Sequence, residues 1–446
     1  MRSILRPYKQ LSIFFCIFFS ISGCDNNVSD TKARTPSPKA FNSKKAIEKT
    51  NSSLLLAITE MPSVTQSFYA VRTAQAEIPI IETAKNLKVN ATSSGGIYSE
   101  TNEKDREILA LGLTANKLLF DNGQTDKSIL VGELDTNAAV LKAQIAIDQA
   151  LHDILSSYAL MQSSRETEQI IIQFLTRFEE RERLVEKAIK IGAVSKSDFL
   201  ELKSLKNDIL ALRAKAGLEA SNAGDLLNKS LKVHFDSALK ELAFDFQFFA
   251  RPRNQNIDNV QIELLSLKIS QLEAEIEIQR LSKKPSANWS ASLNNSQTGG
   301  TDTTLFAGIS IGMPLVDGGV ADAKENSLSE QIAALKLEIE GLTEKYELSR
   351  NKLDNFLKYY KLQKEILTRK IELSTERIID LELRTKAGKA DLGALAKEIL
   401  ANGQAEIALI QLEYEYFSQV LNHASLTNQT CATIQFCKQI NKVFTE

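Results

Sequence analysis

Histidine, tryptophan and methionine are nearly missing from this 446-residue chain, which holds three His, one Trp and four Met. His152, His234 and His423 lie far from one another and have no metal-ligand spacing to cysteine or a second histidine. No P-loop and no GxGxxG loop is there to cradle a phosphate. Proline is scarce, at 8 residues, and aromatics make up 7%, which argues against a compact α/β enzyme. Neither catalysis nor a resident cofactor is therefore expected. Lys+Arg number 54 against 56 Asp+Glu, and the net charge of -2 gives no reason to expect nucleic acid as a partner. What dominates instead is Leu, Ala, Glu, Lys and Ile, a composition suited to long helices.

The N-terminus reads as an address rather than as fold. Arg2, Arg6 and Lys9 form a positive region, and Leu11 to Ile21 an apolar run too short to span a bilayer as a helix. Ile21-Ser22-Gly23-Cys24 resembles a bacterial lipobox, which implies diacylation of the Cys24 thiol and cleavage before it. The other reading is a plain signal peptide with an incidental cysteine. Asp25 resembles an inner-membrane retention signal, in conflict with an outer-membrane destination unless an integrated barrel overrides the lipid address. Residues 1–23 are assigned to the signal peptide and 24–42 to a polar, flexible tether. After Cys24 only Cys431 and Cys437 remain. In an oxidising periplasm they would close a small loop; otherwise they are two free thiols in a tail.

The chain matches itself at an offset of 196 residues: Gly112 with Gly308, Asp121 with Asp317, Gly123 with Gly319, and Gly192 with Gly388. Two repeats follow, 43–240 and 241–424, and then a tail, 425–446, with no clear period. Each repeat starts with helical segments (43–60 and 63–86 in the first, about 258–283 in the second). Two short alternating runs come next, predicted as strands at about 87–99 and 107–118, then 286–297 and 303–314. Leu305, Ala307, Ile309 and Ile311 alternate with Phe306, Gly308, Ser310 and Gly312. The polar side is Asn, Ser, Thr and Gly rather than Lys and Glu. A strand that crosses a membrane needs about 9–11 residues with one apolar and one polar face. Neither two nor four such strands close a barrel, and an open edge is intolerable in lipid, so several chains must share one barrel. A small soluble β-hairpin packed on helices has the same pattern.

After each strand pair the sequence predicts a very long helix, 121–190 and 318–386, neither containing proline. Ile332, Ile339, Tyr346, Leu353, Tyr360 and Leu367 recur every seven residues, as do Val140, Ile147, Ile154 and Met161, the mark of a coiled-coil seam. Gly192 and Gly388 stop these helices. Ser195 and Asp391, three residues on, resemble the N-caps of returning helices at 195–235 and 391–424. Residues 236–257, with Phe244, Phe246, Phe248, Phe249 and Pro252, read as a junction between the repeats.

This ordered set resembles the TolC family of outer membrane channel proteins, over roughly 45–425. The family's strand-to-helix turn is matched by Leu119-Phe120-Asp121-Asn122-Gly123 and by Pro314-Leu315-Val316-Asp317-Gly318-Gly319, with Val316 in place of the usual Phe. The helical tip is matched by Gly192-Ala193-Val194-Ser195 and, with Asp391 for Ser/Thr, by Gly388-Lys389-Ala390-Asp391. The resemblance implies a mainly α fold with a small membrane β part, assembled as a homotrimer. Its twelve-stranded β-barrel in outer-membrane lipid would continue into an α-helical barrel across the periplasm. Such proteins are exit ducts rather than enzymes, serving tripartite efflux or type I secretion with a periplasmic adaptor and an inner-membrane transporter. The tips, here Gly192, Val194, Ser195, Asp198, Gly388, Lys389 and Asp391, would meet those partners. The family gates its pore with aspartates just past the second tip, where this chain has Ala394 and Lys397. Asp391 and Glu398 are the nearby carboxylates left as gate candidates, as is Asp198 at the first tip; the other reading is solvated helix carboxylates with Asp391 as a cap. The competing classes are a periplasmic adaptor and a coiled-coil lipoprotein without a pore.

Overall fold

The computed structural model describes residues 53–98, 106–192, 195–232, 235, 238, 259–297, 301–387 and 392–433, all within one unit, Phe41–Glu446. Two short N-terminal helices, α1 (Ser53–Thr59) and α2 (Pro62–Glu82), lead through a 3-10 turn (Thr83–Lys85) into β1 (Lys88–Tyr98) and β2 (Arg106–Phe120). Helix α3 (Gln124–Lys190) and the returning α4 (Lys196–Leu231) complete the first repeat. The second is α5 (Val260–Ser282), β3 (Ser286–Gln297), β4 (Thr301–Gly312), α6 (Val320–Lys386) and α7 (Leu392–Leu426). A last turn of helix, α8 (Thr430–Thr433), falls in the tail where the sequence shows no period. Its Thr430 hydroxyl donates to Asp148 Oδ2 at 2.7 Å, and the Cys431 N–H donates to Asp148 Oδ1 at 3.3 Å. A long-range anchor of this kind leaves no local signature.

Helices α3 and α6 are 67 residues each, roughly 100 Å at 1.5 Å per residue. They pack differently. Helix α3 is flanked by α2, α4, α5 and α7, whereas α6 is flanked by α5 and α7. The largest core cluster joins α1, α2, α3, α4 and α7 through Leu55, Phe68, Ile147, Leu151, Leu227 and Phe417. A second, toward the glycine ends of the long helices, sets Ile171, Phe174 and Phe178 of α3 against Leu202 and Ile209 of α4 and Leu395 and Ile399 of α7. On α6 the heptad residues Ile332, Tyr346 and Leu353 are buried. Ile332 meets Leu272 and Ile276 of α5, Leu353 meets Tyr416 and Val420 of α7, and the Tyr346 hydroxyl donates to Gln261 Oε1 of α5 at 3.4 Å.

The four strands form one antiparallel sheet in chain order, β1-β2-β3-β4, so the two repeats join through β2 and β3. Among the described residues β1 and β4 each pair on one side only. The register Leu113↔Leu293 and Leu293↔Leu305 carries the apolar residues of adjacent strands onto one face. The weak alternation of 87–98 has its reason there. Ser93 and Gly95 fall on the apolar face opposite Leu111 and Leu109, so small residues of β1 lie beside large ones of β2.

Candidate functional site

The sheet presents two surfaces of opposite character. On one, Val89, Ala91, Leu109, Leu111, Leu113, Trp289, Leu293, Leu305, Ile309 and Ile311 share a side by register. Leu305 and Ile311 are more than three-quarters exposed in the single chain. Trp289 is level with Lys117 near the helical end of the sheet, the arrangement of an interfacial aromatic and a snorkelling cation. The other face carries Asn90, Thr92, Thr114, Asn116, Asn288, Ser290, Ser292, Asn294 and Thr304, all neutral hydrogen-bonding groups. Apolar-out, polar-in alternation of this kind fits a strand between lipid and water.

Gly308-Ile309-Ser310-Ile311-Gly312 on β4 has the spacing of a nucleophile elbow, a match that a reading by strand alternation passes over. Ser310 lies inside the strand, not on a strand-to-helix turn, and its Oγ donates to Asn288 O at 3.4 Å. An elbow needs the sharp turn that exposes its nucleophile. Among the described residues no group of three His, Cys, Asp or Glu could hold a metal ion, and no helix is long and apolar enough to cross a membrane.

The strand-to-helix turns repeat almost atom for atom. Asp121 Oδ1 accepts from the Gly123 N–H at 3.1 Å and Oδ2 from the Thr125 N–H at 2.8 Å, with the Thr125 hydroxyl also donating to Oδ2. Asp317 accepts from the Gly319 N–H at 2.9 Å and the Ala321 N–H at 3.1 Å. Each carboxylate thereby satisfies otherwise unpaired amides at a helix N-terminus. Asn122 and Gly123 have φ of 57° and 86°, Gly318 and Gly319 of 66° and 81°, a left-handed turn that favours Gly and Asn. The carboxyl of Asp121 is lowered: burial pushes it up, and the bonds from Thr125 and Gly123 and the nearby Lys85 outweigh that. Asp317 is lowered chiefly by the Ala321 and Gly319 amides. Asn122 Nδ2 donates to Pro285 O at 2.6 Å and ties the first turn to the start of β3.

At the far end, Gly192 closes α3 with φ of 76° and donates to Ile189 O at 2.9 Å, and Ile191 beside it is 82% exposed. Ser195 O accepts from the Phe199 N–H at 3.3 Å, which places Ser195 at the start of α4. Val194, Gly388, Lys389, Asp391, Cys24 and Cys437 lie outside the described residues, as does the side chain of Asp198. Cys431 is disulfide-bonded. Glu398 is held within the second hairpin: the Ser374 hydroxyl donates to Oε1 at 2.8 Å and Arg377 lies 3.6 Å from Oε2. Lys397 reaches across to the first hairpin, 3.1 Å from Glu201 Oε2. Those two positions are counterparts under the 196-residue offset, and they carry opposite charge. The sequence flags Lys397 only as a departure from an acidic pattern; its partner emerges once the hairpins are packed.

No protein-family model matches the sequence, and no curated protein does. Similarity appears in the architecture. The outer membrane channel CmeC of Campylobacter jejuni superposes at a TM-score of 0.67, with 13% identity over 92% of this chain and 93% of that one. The outer membrane protein VceC of Vibrio cholerae gives 0.70, with 12% identity over 84% and 95%. The open MtrE outer membrane channel of Neisseria gonorrhoeae gives 0.66, with 15% identity over 91% and 94%. The fold is that of the TolC-like outer membrane channels. The TolC-like fold accounts for the long helices and the small antiparallel sheet together.

Proposed function

We propose that this chain belongs to the TolC family, in its lipoprotein branch, and is one protomer of a trimeric outer-membrane export channel. The channel would pass substrate from an inner-membrane transporter and its periplasmic adaptor to the outside. The observation that carries the reading is the four-stranded sheet with one lipid-compatible face, one polar face of mostly neutral groups with Lys88 at its helical end, and two edges unpaired among the described residues. A sheet edge cannot be left open in lipid. Three copies setting β4 of one against β1 of the next would close twelve strands. The helical edges support the same closure. Leu337, Leu362 and Leu383 on α6 are 57–68% exposed, and at the opposite edge Leu218 and Leu226 on α4 are 58–61% exposed. An aqueous polar wall moves substrate without chemistry, so the driving work belongs to the partner.

In this reading the tips at Gly192 to Asp198 and Gly388 to Asp391 dock the adaptor, Cys24 carries the lipid, and Cys431 pairs with Cys437. With Glu398 engaged inside its own hairpin, Asp391 is the better gate carboxylate. Native mass measurement of the detergent-extracted protein, followed by planar-bilayer recording, tests the function. A trimer with discrete conductance steps is expected. A monomer that stays soluble once its lipid is removed sinks the channel and favours a coiled-coil lipoprotein or adaptor.

A further inference from the structure

Phe306 is out of place. It sits on the polar face of β4, paired with Ser292, which pairs in turn with Thr114. Asn294↔Thr304 and Ser290↔Gly308 flank it. Among the described side chains of that face it is the one phenyl ring, and it is 59% exposed. Its ring leans along the strand over Gly308: a Cβ placed on that glycine would lie 2.9 Å from Phe306 Cζ. The counterpart position in the first repeat is Ala110. A half-exposed ring among serine, threonine and asparagine gains little burial, so it adds little to the stability of the sheet.

We propose that Phe306 is a specificity-determining residue of the channel wall, a contact for planar apolar groups of the passing substrate. This rests on the trimeric-channel reading, in which three such rings would share one lumen. The side chains paired with Phe306 or flanking it, Ser292, Asn294, Ser290 and Thr304, offer neutral hydrogen bonds and no charge. The ring offers an apolar surface and a negative π-face, which favour aromatic groups and organic cations. Gly308 beneath it provides the flat floor that lets the ring lie against the wall and leave the duct open.

The test uses the purified full-length channel in planar bilayers with two probes of equal charge, tetraphenylphosphonium and tetraethylammonium. Tetraphenylphosphonium is expected to slow the current and tetraethylammonium to leave it unchanged. Phe306→Ala and Phe306→Leu should each weaken the tetraphenylphosphonium effect by about two- to tenfold, while Phe306→Trp keeps it. Block by tetraphenylphosphonium that is equal in all four proteins overturns the proposal and leaves the channel standing. In parallel, Phe306→Cys is treated with a membrane-impermeant methanethiosulfonate. Labelling above the parent's background is expected from a water-filled lumen. Labelling by lipid-soluble reagent alone, or the absence of conductance in every form, overturns the channel reading itself and the proposal with it.

Discussion

Leu141 and Leu337 occupy equivalent places in two 67-residue helices that begin with the same capped turn. Their surroundings are opposite: Leu141 is 8% exposed and Leu337 is 68% exposed. The same holds along the helices. Ile147, Leu151 and Leu155 of α3 are buried, and their counterparts in α6 are Thr343, Glu347 and Asn351, all exposed. On the shared seam the relation reverses. Ala139 and Ala150 of α3 correspond to Leu335 and Tyr346 of α6, larger residues that are also buried. The duplicated unit thus serves as an interior helix in one copy and an edge helix in the other. Polar substitution adapted the edge, yet Leu337, Leu348, Leu362 and Leu383 remain apolar and exposed there. That remainder argues for a further chain against α6.

The contrast is sharpest in stability. Leu155→Ala should cost about 2–5 kcal/mol, whereas Asn351→Ala at the counterpart position should stay within about 0.5 kcal/mol; denaturant unfolding followed by circular dichroism reads both. Assembly comes next. Leu337→Asp with Leu362→Asp should leave helix content unchanged and shift the native mass from trimer toward monomer, and an intact trimer would show that this face of α6 is not an interface.

The comparison extends to titration. Asp148 is buried and pushed up to about 6 by that burial, against the hydrogen bonds from Thr430 and Cys431 and the nearby His152. Its counterpart Glu344 is exposed. A carboxyl raised in the folded state from 3.8 favours the protonated native form. Its contribution is therefore full at the acid end and is lost as pH rises through about 6. Thermal midpoints across that window should fall for the parent, fall less for Asp148→Asn, and follow the parent for Glu344→Gln.

The two caps differ more modestly. Asp121→Ala should cost about 1 kcal/mol, more than Asp317→Ala, because Asp121 also holds the Thr125 hydroxyl. The smallest effect belongs to the tip. Lys397→Glu sets two carboxylates on counterpart positions and should raise open probability in bilayers, with Glu201→Lys added to it restoring the parent's behaviour. An exposed pair is worth about 0.2–1 kcal/mol, so failure of the double swap to restore gating would limit the bridge to a surface contact.

Much of this organisation is legible in the residues. Alternation places the strands, because side chains of a strand point to opposite faces at a period of two. Gly123, Gly192 and Gly319 mark turns, because their positive φ strongly favours glycine. What the residues do not carry is who packs against whom. The seven-residue period of α3 and that of α6 look alike; Thr343, Glu347 and Asn351 mark α6 as the more exposed, but that α2 and α4 are what cover α3 comes only from the packing. Asp148 reads as one more polar residue on a helix until α8 is laid across it. Lys397 and Glu201 lie 196 residues apart and find each other only through the packing of two hairpins.

The sequence by itself determined the duplication, the element order and the two-faced strands, since period, capping and alternation are local properties of the chain. The tertiary structure decided which elements cover the interior copy, which strand edges are unpaired among the described residues and which charges meet. Those depend on contacts between segments far apart in sequence: a segment shows by its apolar or polar face that it is covered or exposed, as Ile147 and Thr343 do, but not which segment covers it.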